Sequence, residues 1–149
     1  MSNLCVIVDA DACPRSCLKI VQKLAREYKY EVITIASFNH QIDNPNHFVV
    51  GNESQATDIA VINRTRVGDI VVTQDWGLAA MVLAKGGKAI APNGRIFRTD
   101  QIDLLLEERN VLAKFRRAGG RTSGPAKRTP SDDLYFTKSL IELLDSPPH

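Results

Sequence analysis

Three short apolar runs constrain this chain more than any other feature: Leu4-Cys-Val-Ile-Val8, Val32-Ile-Thr-Ile-Ala36 and Ile70-Val-Val-Thr73. Continuous runs of this length, rich in β-branched residues, are strands buried on both faces, the habit of parallel sheets. Segments of helical period lie between them. Pro14 suits a first helical turn, where its missing N–H costs nothing, and Cys17, Ile20, Val21, Leu24, Ala25 and Tyr28 then form one apolar stripe. Ser54 is placed to cap a helix running to about Thr65, and Asp75 or Trp76 opens another that Gly86-Gly87 stops. His47 to Val50 makes a short third strand and Ala89 to Ala91 a fifth, closed by the turn Pro92-Asn-Gly94. Thr99 caps a long amphipathic helix to about Ala118, and Ser131 caps a last one over 132–144. Alternating strands and helices mean βαβ units with right-handed crossovers. The expected class is α/β, a three-layer parallel sheet with helices on both faces.

A length of 149 residues fits one domain spanning 1–149, with no internal repeat. The apolar share of 44% and charged share of 24% exclude a disordered or fibrous chain. A net charge of +2 argues neither for nor against nucleic acid. No signal peptide, and no run of the roughly 18 apolar residues a membrane span needs, is visible, so a cytoplasmic protein with no membrane partner is expected. The three cysteines read as reduced thiols. Cys13 and Cys17 are one helical turn apart, which is not a zinc-ribbon spacing, and His40 and His47 have no metal-ligand partner nearby in sequence. Cys13, near a helix start, is the thiol placed for reactivity, with no base paired to it.

Ligands of open parallel sheets bind beyond the carboxyl ends of the strands. Asp9 and Asp11 directly follow the first strand and Asp75 follows the fourth, so they share that edge. Asp58, early in the helix after the third strand, comes near it too. Each acid alone also reads as a helix cap or first-turn residue. As a set they form a candidate catalytic group, because converging carboxylates repel one another unless a proton or cation intervenes. Hard oxygen donors suit Mg²⁺ or Mn²⁺, with Asp9, Asp58 and Asp75 as the expected metal ligands. Asp69 precedes the fourth strand and belongs to the opposite edge.

A second cluster is basic. Arg116, Arg117, Arg121, Lys127 and Arg128, with Thr122, occupy a glycine-rich loop, 116–130. Such a loop grips phosphate through arginine forks and backbone N–H groups. It reads equally as a solvated connector. Trp76 stands either to stack a base or to fill the core.

Several segments carry a family resemblance: Val8-Asp9-Ala-Asp11-Ala-Cys13-Pro14, Gln55-Ala-Thr-Asp58, Asp69-Ile-Val-Val-Thr73-Gln-Asp75-Trp-Gly-Leu78-Ala and Arg116-Arg-Ala-Gly-Gly120-Arg-Thr-Ser-Gly124-Pro125. Together they resemble the YaiI/YqxD family of small bacterial proteins, in order and over nearly the whole chain. That family looks related to the PIN-like nucleases. The resemblance implies a strand order of 3-2-1-4-5 and an acidic cluster that hydrolyses phosphodiesters with Mg²⁺ or Mn²⁺. Asp9 matches the first aspartate of those enzymes, Asp58 their helical acid, and Thr73-Gln-Asp75 their Thr-x-Asp. The match also favours phosphate binding by the basic loop and places Thr73 at the phosphate site or beside Asp75. Many relatives carry a further acid after the fifth strand, where this chain has Pro92-Asn-Gly-Arg95. The implied activity is a metal-dependent nuclease or phosphodiesterase, RNA favoured over DNA. Two rivals stand beside it. One is a non-catalytic RNA- or nucleotide-binding domain. The other is a haloacid-dehalogenase-like phosphatase with Asp9 as nucleophile and Asp11 as acid/base, although no later strand ends in the paired acids that such enzymes carry.

Overall fold

The structure, a computed structural model, describes residues 4–37, 42–51, 55–100 and 127–145. Its elements are β1 (Cys5–Asp9), a 3₁₀ turn (Ala10–Ala12), α1 (Arg15–Tyr28), β2 (Glu31–Ala36), β3 (His47–Val49), α2 (Ala56–Arg64), β4 (Ile70–Val72), α3 (Trp76–Ala84), β5 (Lys88–Ile90), β6 (Ile96–Phe97) and α4 (Pro130–Asp145). All but the first two residues of the helix expected from Thr99, together with Arg116, Arg117, Arg121 and Thr122, lie outside the described residues, as does the expected cap Ser54.

The strands form one sheet in the order β3-β2-β1-β4-β5-β6. The first five are parallel, as expected, and β6 runs antiparallel to β5. The sequence reading missed β6 because a two-residue strand has too little pattern to register. Gly94 makes its hairpin feasible: φ is +94°, and a Cβ there would stand 2.8 Å from the Tyr135 ring.

Period-two alternation along β1 divides the core into two layers. Val6 and Val8 face α1 and α4, packing with Cys17, Val21, Leu24, Phe136 and Leu140. Cys5 and Ile7 face the other way, toward Val61 of α2 and Leu78, Ala79 and Val82 of α3. Trp76 is half-buried and packs against this second layer, which favours its core role over base stacking. No helix among the described residues is long and apolar enough to cross a membrane.

Two helix starts differ from expectation: the N-cap of α2 is Gln55 rather than Ser54, with no side-chain cap hydrogen bond. Thr129, not Ser131, caps α4: its N–H donates to Asp132 Oδ2 at 2.8 Å while Asp132 N–H reaches back to Thr129 Oγ1 at 3.4 Å. This reciprocal pair is a capping box, and Pro130 takes the first helical position. Ser131 therefore sits inside the helix.

Asp69 shows what an acid at the amino edge does. It is 2% exposed, and it accepts from Cys5 N at 3.1 Å and Arg66 N at 2.9 Å, with the Arg66 guanidinium 3.5 Å away. It thereby ties the start of β1 to the α2–β4 connection. Replacing Asp69 with Ala orphans the buried Cys5 N–H and should cost about 2 to 3 kcal/mol. Urea denaturation will report this as a lower midpoint with an unchanged slope; an unshifted midpoint would show the tie to be dispensable.

Candidate functional site

The site is built outward from the last residue of β1. Asp9 continues the Cys5 and Ile7 face of the strand, so its side chain belongs to the layer covered by α2 and α3. Those helices carry Asp58 and the cap residue Asp75, respectively. On the neighbouring strand, the Val8–Val72 register sets Thr73 beside Asp9. Thr73 is 1% exposed; its hydroxyl donates to Asp9 Oδ2 at 2.9 Å and accepts from Asp75 N at 3.0 Å. Asp75 Oδ1 in turn accepts from Leu78 N at 3.1 Å and caps α3. One hydroxyl therefore links both strand-end aspartates. Thr73 is spent on positioning them and is too enclosed to meet a phosphate directly.

Asp11, in the 3₁₀ turn, points its carboxylate to the β2 side. Both its oxygens accept from Ser37 N, at 2.9 and 3.1 Å, and Oδ2 also accepts from Thr57 Oγ1 at 3.2 Å. Asp11 thus anchors the first turn of α2, one residue before Asp58. The sequence reading missed Thr57; its place beside Asp58 in Gln55-Ala-Thr-Asp58 was the available signal. Gln55, at the N-cap of α2, adopts a left-handed backbone with φ of 72°, rare outside glycine.

The electrostatics show convergence. Burial pushes the Asp9 carboxyl up from its ordinary 3.8 to about 6; the Thr73 hydrogen bond opposes the rise, and the charges of Asp11, Asp58 and Asp75 add to it. Asp58 and Asp75 also line one open groove between α2 and α3, whose walls include Gln55, Ile59, Asn63 and Met81. The acids do not form a closed cage. Among the described residues, no three His, Cys, Asp or Glu side chains are gathered tightly enough to enclose a metal by themselves. Mg²⁺ does not require such a cage, since it commonly takes one or two carboxylates and keeps its waters. The donor chemistry, all carboxylate oxygen with the half-buried Asp9 among the acids, is of the kind such an ion takes.

The basic loop is described only at its end. Lys127 is exposed. Arg128 lies in the other layer, where its Nε donates to Asp133 Oδ1 at 2.8 Å and Ser16 Oγ at 3.0 Å and its Nη1 donates to Pro92 O at 2.7 Å. It staples α1, α4 and the turn after β5, and it is not paired with the acids. Its Nη2 is buried and has no hydrogen-bond partner among the described residues.

The chain is similar over nearly its whole length to known proteins. Residues 7–146 match the model described as "Uncharacterized BCR, YaiI/YqxD family". A "UPF0178 protein" of Heliobacterium modesticaldum is 50% identical over 139 residues, covering 93% of this chain and 95% of its own. Similar proteins of Exiguobacterium sibiricum and Clostridium tetani are 46% and 43% identical, covering 92% and 93% of this chain and 94% and 95% of their own. No solved structure matches the chain.

A raised carboxyl pKa carries a definite sign. Below 3.8 Asp9 is protonated in both folded and unfolded chains and costs nothing; between 3.8 and about 6 the folded chain keeps a proton the unfolded chain has lost. Its contribution to stability therefore falls as pH rises through that window and stays at its lowest above it. In metal-free protein, Asp9→Asn should gain in urea midpoint relative to wild type across the same window and then level off. A difference independent of pH would mean that Asp9 is not held against its charge.

Proposed function

The chain belongs to the YaiI/YqxD family, and we propose that it is a divalent-metal-dependent phosphodiester hydrolase acting on nucleic acid, RNA before DNA. One observation supports the reading: a half-buried carboxyl, Asp9, lies in the combined field of Asp11, Asp58 and Asp75, acids delivered by separate chain segments to one sheet edge. A fold gains nothing in stability from such a gathering, so a bound cation is its natural counterpart.

In this reading Asp9 and Asp75 hold Mg²⁺ or Mn²⁺. The ion supplies Lewis-acid polarisation of the phosphodiester and eases deprotonation of the attacking water. Thr73 fixes the spacing of the two ligands by its paired hydrogen bonds. Asp58, at the groove, orients the water, and Asp11 holds α2 so that Asp58 stays in place. The groove between α2 and α3 offers the substrate a path lined by Asp58 and Asp75 and by both polar and apolar side chains. Lys127, with Arg116, Arg117, Arg121 and Thr122, is assigned to the phosphates that flank the scissile bond. Arg128 is tied into α1 and α4 instead.

Mn²⁺ in excess over a chelated control should raise the thermal midpoint, a free-energy gain of about 2.7 kcal/mol at a hundred times its Kd. Asp9→Asn and Asp75→Asn should each abolish the gain, and asparagine preserves the α3 cap in the second. Unchanged stabilisation in both variants would overturn the metal assignment. Metal-dependent cleavage of single-stranded RNA should fall by more than about a hundredfold in Asp9→Asn, since even outer partners of a metal are worth about 10–100-fold. Metal binding with no cleavage that tracks Asp9 would leave a nucleic-acid-binding domain instead.

A further inference from the structure

One face of α1 carries charge that neither the core nor the acidic site uses. Arg15, Lys19, Lys23 and Arg26 are all exposed and fall within an arc of about 80° at 3.6 residues per turn. That arc lies opposite the stripe of Cys17, Leu18, Val21 and Leu24 that seats the helix on the sheet. Glu27, the one acid of α1, stands outside it. None of the four cations is ion-paired with an acid among the described residues. Over the whole chain 19 basic residues are nearly balanced by 17 acidic ones, so this face is a local excess and not a sample of the surface.

Such a face works against its own helix. Side chains three and four residues apart are neighbours, so Arg15 repels Lys19, Lys19 repels Lys23 and Lys23 repels Arg26. An ordinary solvated face relieves this by mixing signs at that spacing. Arg15 is further disfavoured at the first helical position, where the helix dipole is positive. No acid occurs in that first turn, and the N-cap Pro14 makes no side-chain cap hydrogen bond. A polyanion offsets every one of these repulsions. Four residues of helix rise about 6 Å, so the cations form a row about 16 Å long whose steps are close to the separation of phosphates along one strand. The row begins at the carboxyl edge of the sheet, just beyond the segment Asp9 to Pro14, so a strand that crosses this edge runs onto it.

We propose that this face of α1 is a docking surface for the phosphate backbone of a single-stranded nucleic acid, with Arg15, Lys19, Lys23 and Arg26 each meeting a phosphate. The choice of nucleic acid among polyanions rests on the hydrolase reading, but the surface itself needs neither the metal nor the acids. An anionic membrane fits less well, because a helix that binds one sinks an apolar face into the lipid. The apolar face of α1 is already buried in the core. Contacts to phosphate fix position and carry no base preference. Their role here is to retain the strand whose phosphodiester lies at the acids.

The test uses the full chain in chelator and a fluorescent single-stranded RNA, with binding followed by anisotropy over a series of salt concentrations. The logarithm of affinity should fall linearly with that of salt, by about 0.7 for each phosphate contacted. Lys19→Gln combined with Lys23→Gln should flatten the slope by about 1.4, two contacts at about 0.7 each. Both side chains are exposed, so the urea midpoint should not move. Arg98→Gln combined with Lys138→Gln removes the same charge from exposed positions elsewhere and should leave the slope unchanged. Lys19→Arg combined with Lys23→Arg should also keep it. A wild-type slope in the α1 variant, or equal flattening in the Arg98 and Lys138 control, would overturn the docking face and leave the hydrolase reading standing. No binding of RNA by the wild type would overturn both. Binding to phosphatidylserine vesicles without binding to RNA would give the face to a membrane instead. Failure of the metal assignment alone would not touch the slope difference.

Discussion

Everything in this molecule hangs on the pairing of β1, hydrogen-bonded in parallel to β2 on one side and β4 on the other, with both faces covered by helices. Val6, Ile7 and Val8 are fully buried, so a slip of register on either side would misplace both core layers together. The end of the strand inherits that precision. Asp9 stands opposite Ile35 on one side and next to Thr73 on the other because the residues before it have no alternative.

The acidic edge is held against its own repulsion. Donors aimed at individual carboxylates offset part of that cost: Thr73 at Asp9, Ser37 and Thr57 at Asp11, and the α3 N-terminus at Asp75. The same residues thereby serve as caps and as site components. Asp75 closes α3 whether or not a cation is present, so its capping role and its proposed ligand role do not compete. Asp9 differs, because burial leaves it a single hydroxyl donor among the described residues and a field of like charge. It is where stability and binding trade against one another.

The sheet also keeps two sets of charges apart. The edge acids gather on the α2 and α3 layer, while Arg15, Lys19, Lys23, Arg26 and Arg128 belong to the α1 and α4 layer. The segment Asp9 to Pro14 crosses the sheet edge between the two. Arg128 reads in sequence as the end of a phosphate-binding run, yet it bonds to Asp133, Ser16 and Pro92.

The sequence by itself determined the class of fold and the edge where the acids lie. Apolar runs long enough to be buried on both sides admit only a parallel sheet under helices, and residues that directly follow strands must emerge at the carboxyl edge. It determined, too, that Asp69 belongs elsewhere, since that residue precedes its strand. Tertiary structure decided the rest: the two-residue strand β6, the Thr129 cap, the anchoring of Asp11 by Ser37 and Thr57, and the linking of Asp9 to Asp75 through Thr73. Each of those depends on atoms far apart in the chain arriving within hydrogen-bond reach, a matter of distance that residue spacing does not record. The Asp9 carboxyl makes the point most clearly. Its position is local to β1, but its raised pKa is set by burial and by charges up to 66 residues downstream, which only the folded chain brings together.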